Sequence, residues 1–177
     1  MTTLVLIWGN NRHNKSRIEE VHKELLPLYD SSHIHYHHHR NEDIWWNIDI
    51  EYESKELHSY LKTISGDIVL FCKSVWCIVA IKAMVEKDIH IKKCIFVWFP
   101  LWFTEFHKIP LTEYIQQLSC PILWIQQTND PAWWYQTIKE KIWHLSLTFI
   151  CKEMPGDDHD YKDINTIKQI ILDTNTR

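Results

Sequence analysis

Short strand-like runs alternate along the chain with segments whose apolar residues recur every three to four positions. The runs predict strands at residues 3–8, 31–38, 67–72, 92–99, 120–127 and 145–151. The helically spaced segments predict helices at 14–29, 54–64, 75–87 and 160–174, and a further helix after the sequence TNDPAWW. This alternation predicts an α/β protein, a three-layer α/β/α sandwich around a mostly parallel sheet of about six strands. We expect residues 1–177 to form a single domain, because no linker or repeat interrupts the pattern.

The net charge of the chain bears on which binding partners are expected. The chain has 19 basic and 23 acidic residues and a net charge of -4, which argues against nucleic acid or an anionic membrane surface. The longest uncharged apolar run, residues 94–103, is about half of the roughly 20 residues that cross a bilayer. The first residues lack the basic region of a signal peptide. The five cysteines form no C-x-x-C pair, so we expect reduced thiols in a cytoplasmic protein.

Glycine and tryptophan occur in unusual numbers. The chain has 3 glycines and 10 tryptophans, whereas glycine alone averages about 7% of the residues in proteins. Several tryptophans stand where a turn favours glycine, among them Trp8, Trp76 and the pairs Trp45–Trp46 and Trp133–Trp134. One hypothesis is that they are glycines encoded by UGA in a lineage that reads UGA as glycine. The other is that the protein is rich in tryptophan, and UGG codons in the gene would establish it.

Residues 64–87, ISGDIVLFCKSVWCIVAIKAMVEK, contain the strongest candidate for a catalytic group. The segment predicts a buried strand, a tight turn at Ser74 and a helix. This arrangement is typical of a nucleophile elbow, which exposes a serine at the carboxyl end of a strand. The usual pattern is G-x-S-x-G, but here the two glycine positions hold Cys72 and Trp76. We expect the Trp76 indole to be forced outward or to displace its neighbours.

Two further polar residues follow later strands of the predicted sheet. Asp130 follows the fifth strand and His159 the sixth, and sites in parallel sheets form beyond the carboxyl ends of the strands. A serine hydroxyl becomes a nucleophile when an imidazole takes its proton, and a carboxylate fixes the tautomer of that imidazole. The chain order Ser74, Asp130, His159 therefore predicts a catalytic triad.

The sequence resembles the α/β-hydrolase family, and within it the small, lid-poor bacterial hydrolases that have a K-S-x-G elbow. The resemblance covers nearly the whole chain and rests on LVLIWGNN, CKSVWC, KKCIFVWFPL, PILWIQQTNDP and the DDHDY turn. It implies a minimal α/β-hydrolase fold with Ser74 as the nucleophile, Asp130 as the acid and His159 as the base. It also implies an oxyanion hole formed by the backbone N–H of Val75 and of a residue at or near Asn10.

The segment 99–119 lies where this fold inserts its cap, and its length predicts a small flap. Trp102, Phe103 and Phe106 are candidates for the lining of an apolar acyl pocket. The alternative is that these rings only cover the core.

Four residues near the predicted triad have two interpretations each. We expect Lys73 to point to solvent, with contact to an anionic substrate as the alternative. Cys72 is a weaker candidate nucleophile than Ser74, because it precedes the turn. Asp157 and Asp158 compete with the predicted acid, but their closeness to the histidine predicts loop caps.

A dense histidine run follows the first helix. On a strand, alternate histidines of the run would share one face, where neutral imidazoles bind zinc. The members are His33, His35, His37, His38 and His39. No cysteine or carboxylate stands at ligand spacing within the run, so a solvated strand end is the alternative and no metal ligand is assigned.

The favoured interpretation is a serine hydrolase that cleaves a small ester or related acyl substrate through an acyl-enzyme. We expect a small-molecule substrate and no cofactor. A catalytically silent hydrolase-fold binding protein is the alternative, and a metal-binding protein that uses the histidine run is a weaker third.

Overall fold

The computed structural model describes residues 1–8, 12–36, 48–86, 88–131, 134–142 and 148–175. Within these ranges the strands lie at Thr2–Ile7 (β1), Ser31–His35 (β2), Asp67–Lys73 (β3), Ile91–Val97 (β4), Ile122–Gln127 (β5) and Phe149–Met154 (β6). The helices lie at Arg12–Leu25 (α1), Ile50–Leu61 (α2), Val75–Met84 (α3), Leu101–Phe106 (α4), Leu111–Gln117 (α5), Tyr135–Ile142 (α6) and Ile164–Asn175 (α7).

The strands form one sheet in the order β2-β1-β3-β4-β5-β6, and every neighbouring pair is parallel. The predicted three-layer sandwich around a parallel sheet is therefore confirmed. The chain goes from β1 to one edge at β2, returns past β1 to β3, and then proceeds to the other edge at β6. Strand order thus reverses between β1 and β3, and ligands of open α/β sheets bind beyond the carboxyl ends of strands at such a reversal.

Both faces of the central strands are buried. In β3, Leu70 and Cys72 contact one core cluster and Val69 and Phe71 contact the other, as the alternation of side chains along a strand requires. Helices α2 and α3 contribute to the first cluster, and α1 and α7 to the second. The sheet is therefore covered by helices on both sides, which explains why its strands are continuously apolar.

Helix α2 begins at Ile50, earlier than the predicted start at residue 54. The Asp49 side chain precedes it and accepts a hydrogen bond of 3.0 Å from the Tyr52 N–H. This cap satisfies one of the N–H groups that a helix start leaves without an acceptor. Glu51 and Glu53 in the first turn add favourable charge at the positive end of the helix dipole.

Strand β6 differs from its prediction, which covered residues 145–151. Phe149 pairs with Ile122 and Met154 pairs with Gln127, so β6 follows β5 along its length. As an edge strand it accommodates polar residues between these two ends. The apolar run that guided the prediction begins at residues 145–147, which lie outside the described part of the chain.

The segment 99–119, predicted as a small flap, contains the short helices α4 and α5. Phe103 on α4 and Ile115 on α5 are buried in the same core cluster as α3. These helices therefore extend the cover over one face of the sheet. Among the described residues, no helix combines the length and the apolar character needed to cross a membrane.

Candidate active site

Ser74 lies in the turn between β3 and α3, so the predicted strand, turn and helix are all present. Its backbone is left-handed, with φ 63° and ψ -141°, a conformation that is costly for a residue other than glycine. The Ser74 N–H donates to the carbonyl oxygens of Val97 at 3.2 Å and Trp98 at 2.9 Å. The end of β4 thus holds the serine in a strained conformation, and such strain clusters at functional sites.

Asp130 and His159 are brought together at the same edge of the sheet, beyond β5 and β6. The His159 Nδ1 lies 3.1 and 3.2 Å from the two carboxylate oxygens of Asp130. The Asp130 side chain is fully buried, whereas that of His159 is 37% exposed. When Nδ1–H donates to this carboxylate, Nε2 is left as the basic nitrogen of the ring.

Trp98 contacts both Ser74 and His159. The Trp98 ring meets the His159 ring edge-on at a centroid distance of 4.2 Å, and its carbonyl accepts from the Ser74 N–H. Among the described residues, Ser74 Oγ forms no hydrogen bond with His159. In unliganded hydrolytic sites this contact is often long and tightens when substrate binds.

The loop that carries His159 is held by the end of β5. The Gln127 side chain donates from Nε2 to Asp158 Oδ1 at 2.8 Å and accepts at Oε1 from the His159 N–H at 3.2 Å. Asp158 Oδ1 also accepts from the Tyr161 N–H at 2.9 Å. Asp158 therefore caps the loop, as predicted, and the carboxylate that contacts the imidazole is that of Asp130.

Tyr161 is fully buried beneath this loop. Its hydroxyl accepts from the Gln127 backbone N–H at 3.0 Å and forms a side-chain hydrogen bond with Asp130. Burial raises the pKa of Tyr161 far above its ordinary value, and the nearby Asp130 carboxylate adds to the shift. The phenol therefore stays neutral and can donate its proton to the carboxylate.

Lys73, expected to point to solvent, is instead 7% exposed. Its Nζ lies over the rings of Trp8 and Tyr161, at 4.9 and 5.8 Å from their centroids. Burial lowers the pKa of Lys73 to about 8, against the opposing influence of the Asp160 and Asp130 carboxylates. The expectation was wrong because this strand position faces the core cluster between the sheet and α1.

Trp76 is 3% exposed and packs in the core cluster that α3 contributes to, so it is not forced outward. The other expected outcome, that it displaces its neighbours, stays a prediction. The helix that follows Ser74 is buried almost throughout, and the indole forms part of that packing. Trp76 does not have a positive φ, whereas Trp98 does, at 51°.

The predicted oxyanion hole falls partly outside the described residues. Val75 is the first residue of α3, where a backbone N–H has no acceptor within the helix. Asn10 lies outside the described part of the chain.

The predicted pocket residues lie on α4 in three different environments. Phe103 is buried in the core, Trp102 is partly buried against it, and Phe106 is 76% exposed. Phe103 also lines a surface cleft of about 320 Å³ together with Tyr114. The assignment of these rings to an acyl pocket stays a prediction.

Cys72 is fully buried, and burial raises the pKa of its thiol well above the ordinary value. A thiol that stays protonated is a poor nucleophile. Ser74 is therefore the better candidate of the two.

The histidine run is described only at its start. His33 is exposed on β2, and the His35 ring packs against Tyr60 at a centroid distance of 4.6 Å. Residues 37–39 lie outside the described part of the chain. Elsewhere, His58 Nε2 lies 3.2 Å from Glu86 and 3.1 Å from Asp88, and the Lys62 ammonium lies 2.7 Å from Asp88. Lys62 therefore balances the Asp88 carboxylate as an ion pair.

Sequence reasoning missed the three residues that support the candidate site: Gln127, Tyr161 and Trp98. Gln127 carried a signal, since it is a polar residue at the end of an otherwise apolar run. Tyr161 and Trp98 carried none, because an aromatic residue near a strand end is as typical of a core as of a site.

Known proteins resemble this chain in structure only. No family model matches the sequence, and no curated protein matches it. An uncharacterized protein from Bacillus cereus matches with a TM-score of 0.71 and 16% identity over 98% of this chain, which spans 59% of the length of that chain. N-formylmaleamic acid deformylase from Pseudomonas putida matches with a TM-score of 0.72 and 11% identity, over 96% of this chain and 91% of that one.

An extracellular alpha/beta-hydrolase from a Paenibacillus species matches with a TM-score of 0.67 and 12% identity, over 98% of both chains. Identities this low carry the fold and no more. The parallel sheet, its strand order and these matches lead to the same conclusion: the chain has the α/β-hydrolase fold.

Proposed function

We propose that this protein is a serine hydrolase that cleaves a small ester or related acyl compound through an acyl-enzyme at Ser74. The observation that carries the proposal is the pairing of buried Asp130 with His159 at the sheet edge where Ser74 occupies a left-handed turn. A buried carboxylate that orients one imidazole nitrogen leaves the other free to act as a base.

In the proposed reaction, His159 Nε2 takes the proton of Ser74 Oγ as the oxygen attacks the acyl carbonyl. The Val75 N–H stabilises the negative charge that develops on the carbonyl oxygen. His159 then donates its proton to the leaving group. It next activates a water that hydrolyses the acyl-enzyme and returns the proton to Ser74.

Asp130 stabilises the imidazolium that forms during these steps. The Asp130 carboxylate contacts the His159 ring and the Tyr161 hydroxyl. Because these groups are already in contact before substrate binds, only the approach of Ser74 and His159 is left for the bound state.

Labelling with a fluorophosphonate probe tests the proposal directly, because the probe reacts with an activated serine. We expect the modified peptide to contain Ser74. Ser74→Ala should abolish labelling, and His159→Ala should lower hydrolysis of a short p-nitrophenyl ester by at least about 10³-fold. Ser59→Ala, on the exposed face of α2, is the matched control and should keep both activities. Labelling at another serine would refute the proposal.

A catalytically silent binding protein with the same fold is the second candidate. Trp76 at the usual glycine position and the open contact between Ser74 and His159 favour it. Such a protein would bind a small acyl ligand at the same sheet edge without reacting with the probe. Folded protein that fails to label would therefore favour this candidate.

A further inference from the structure

The Gln127 side chain joins the end of β5 to the loop after β6. Gln127 is 2% exposed, and its carboxamide is used at both ends. Nε2 donates to Asp158, and Oε1 accepts from the backbone N–H of His159. A group that donates at one end and accepts at the other is needed here, and at this length glutamine is the side chain that offers both.

The same residue also holds the acid of the proposed triad through its backbone. The Gln127 N–H donates to the Tyr161 hydroxyl, which in turn forms a hydrogen bond with Asp130. Gln127 is therefore linked to both members of the pair: directly to the His159 backbone through its side chain, and to Asp130 through the Tyr161 hydroxyl, which its main-chain N–H contacts.

The loop contains two residues in strained backbone conformations. His159 has φ 56° and Tyr161 has φ 57°, left-handed conformations that non-glycine residues keep only when their surroundings impose them. Gln127 contacts the backbone N–H of His159 and the hydroxyl of Tyr161. The two residues with strained backbones are therefore the ones that Gln127 contacts.

Gly156 leaves the space that the carboxamide occupies. It has φ 145°, and a Cβ atom built there would lie 2.5 Å from Gln127 Nε2 and 2.7 Å from Cδ. One of only three glycines in the chain thus stands where the glutamine side chain passes. The fit of these two positions is independent of the hydrogen bonds and points to the same role.

We propose that Gln127 is a positioning residue that sets the orientation of His159 toward Asp130 and Ser74. The role rests on the serine-hydrolase function proposed above, since His159 is the base only in that reaction. The amide acts through the backbone of the histidine and touches no substrate.

Gln127→Met tests the role, because methionine has a similar length and neither donates nor accepts strongly. We expect kcat to fall by roughly tenfold to a hundredfold, as for a small misplacement of a catalytic group, with KM little changed. The acidic limb of the pH profile of kcat/KM should move, since it reports the protonation of the base. The downfield Nδ1–H proton resonance of His159 should broaden or disappear.

Two charge-changing variants distinguish loss of the hydrogen bond between Gln127 and Asp158 from a general loss of stability. Gln127→Glu places one carboxylate against another at Asp158 and should be worse than Gln127→Met. In the double variant Gln127→Glu/Asp158→Asn, the amide nitrogen at position 158 can donate to the carboxylate at position 127, but the Tyr161 N–H then loses Oδ1, the acceptor that it shares with Gln127 Nε2. We therefore expect that double variant to recover part of the kcat and of the Nδ1–H resonance that Gln127→Glu loses.

Ile171→Ala is the matched control for lost stability. Ile171 is fully buried on α7, in the core cluster that also contains Tyr161. This variant should lower the melting temperature and leave the pH profile and the Nδ1–H resonance unchanged. If the control moves them as Gln127→Met does, the inference is overturned. It is also overturned if wild-type enzyme is active and Gln127→Met keeps kcat, pH profile and resonance.

If wild-type protein neither labels nor hydrolyses esters, the serine-hydrolase proposal fails by itself. The Nδ1–H resonance of His159 then still tests whether Gln127 positions the imidazole. Its loss in Gln127→Met and its return in the double variant would support the role, and its persistence in Gln127→Met would overturn it.

Discussion

Among single residues, Trp98 shows the clearest conflict between side chain and backbone. It is left-handed at φ 51° and 3% exposed, and among the described residues its indole N–H is buried without a hydrogen-bond partner. The indole N–H of Trp124 is likewise buried without a hydrogen-bond partner among the described residues. It lies instead in regular strand β5, where its ring contacts Phe99 at 4.4 Å and Phe149 at 5.8 Å. The two tryptophans are therefore alike in burial and in the unpartnered N–H, and they differ in backbone conformation and in the core cluster that surrounds each ring.

This difference predicts unequal effects of substitution by glycine. Trp124→Gly should lower the free energy of unfolding by about 3–5 kcal/mol, as expected for removing a large buried aromatic side chain. Trp98→Gly should lower it by less, because glycine relieves a left-handed conformation worth about 1–3 kcal/mol. Urea denaturation of both variants measures the difference. Equal losses would show that the backbone at Trp98 is not strained.

The same measurement bears on the glycine hypothesis for the tryptophans. If Trp98 is a glycine in the organism, its neighbours were selected around glycine, and Trp98→Gly should raise stability above that of the tryptophan-containing chain. The codon at this position answers the question independently.

Lys73 predicts a specific dependence of stability on pH. Its pKa in the folded protein is about 8, below the ordinary value of 10.5. Below pH 8 both the folded and the unfolded states carry the proton. Between pH 8 and 10.5 the folded state binds fewer protons, so the free energy of unfolding rises with pH.

Lys73→Met should remove this rise and stabilise the protein at neutral pH by up to about 3 kcal/mol, the free-energy equivalent of the pKa shift. Denaturation of wild type and variant at a series of pH values provides the test. Lys55→Met, at an exposed position on α2, is the control and should keep the wild-type slope. Parallel curves for wild type and Lys73→Met would contradict the prediction.

At the scale of elements, the apolar pattern was sufficient to predict the strands and their parallel pairing, because hydrophobic periodicity reports burial directly. Element ends were less predictable where a single polar contact sets them. The Asp49 cap starts α2 earlier than its apolar residues indicate, and pairing with β5 extends β6 to Met154.

Candidate site residues could be named from the sequence where each lies within three residues of the end of an apolar strand, as Ser74 and Asp130 do. The supporting residues could not, because their roles arise from contacts between distant segments. Gln127 and Asp158 meet across 31 positions, and no local pattern encodes that meeting. The burial of Lys73 was missed for the same reason, since it depends on rings supplied by Trp8 and Tyr161.

At the scale of the whole molecule, the pairing of β5 with β6 continues past the ends of both strands. The Thr128 N–H donates to the Met154 carbonyl at 3.0 Å, and the Asn129 N–H donates to the Gly156 carbonyl at 3.1 Å. Loop amides usually exchange with solvent early, through small local openings. We expect the amides of Thr128 and Asn129 to exchange as slowly as those of β5 in a hydrogen–deuterium exchange experiment. Exchange at the rate of a free loop would contradict this.

Those two additional hydrogen bonds have a consequence for the thermal unfolding of the protein. If the loops that carry Asp130 and His159 open only when the sheet opens, the site and the fold belong to one cooperative unit. No folded intermediate with a disordered site should then accumulate, so inactivation and melting should follow the same temperature course. The proposed catalytic apparatus would therefore keep its geometry up to the temperature at which the whole chain unfolds.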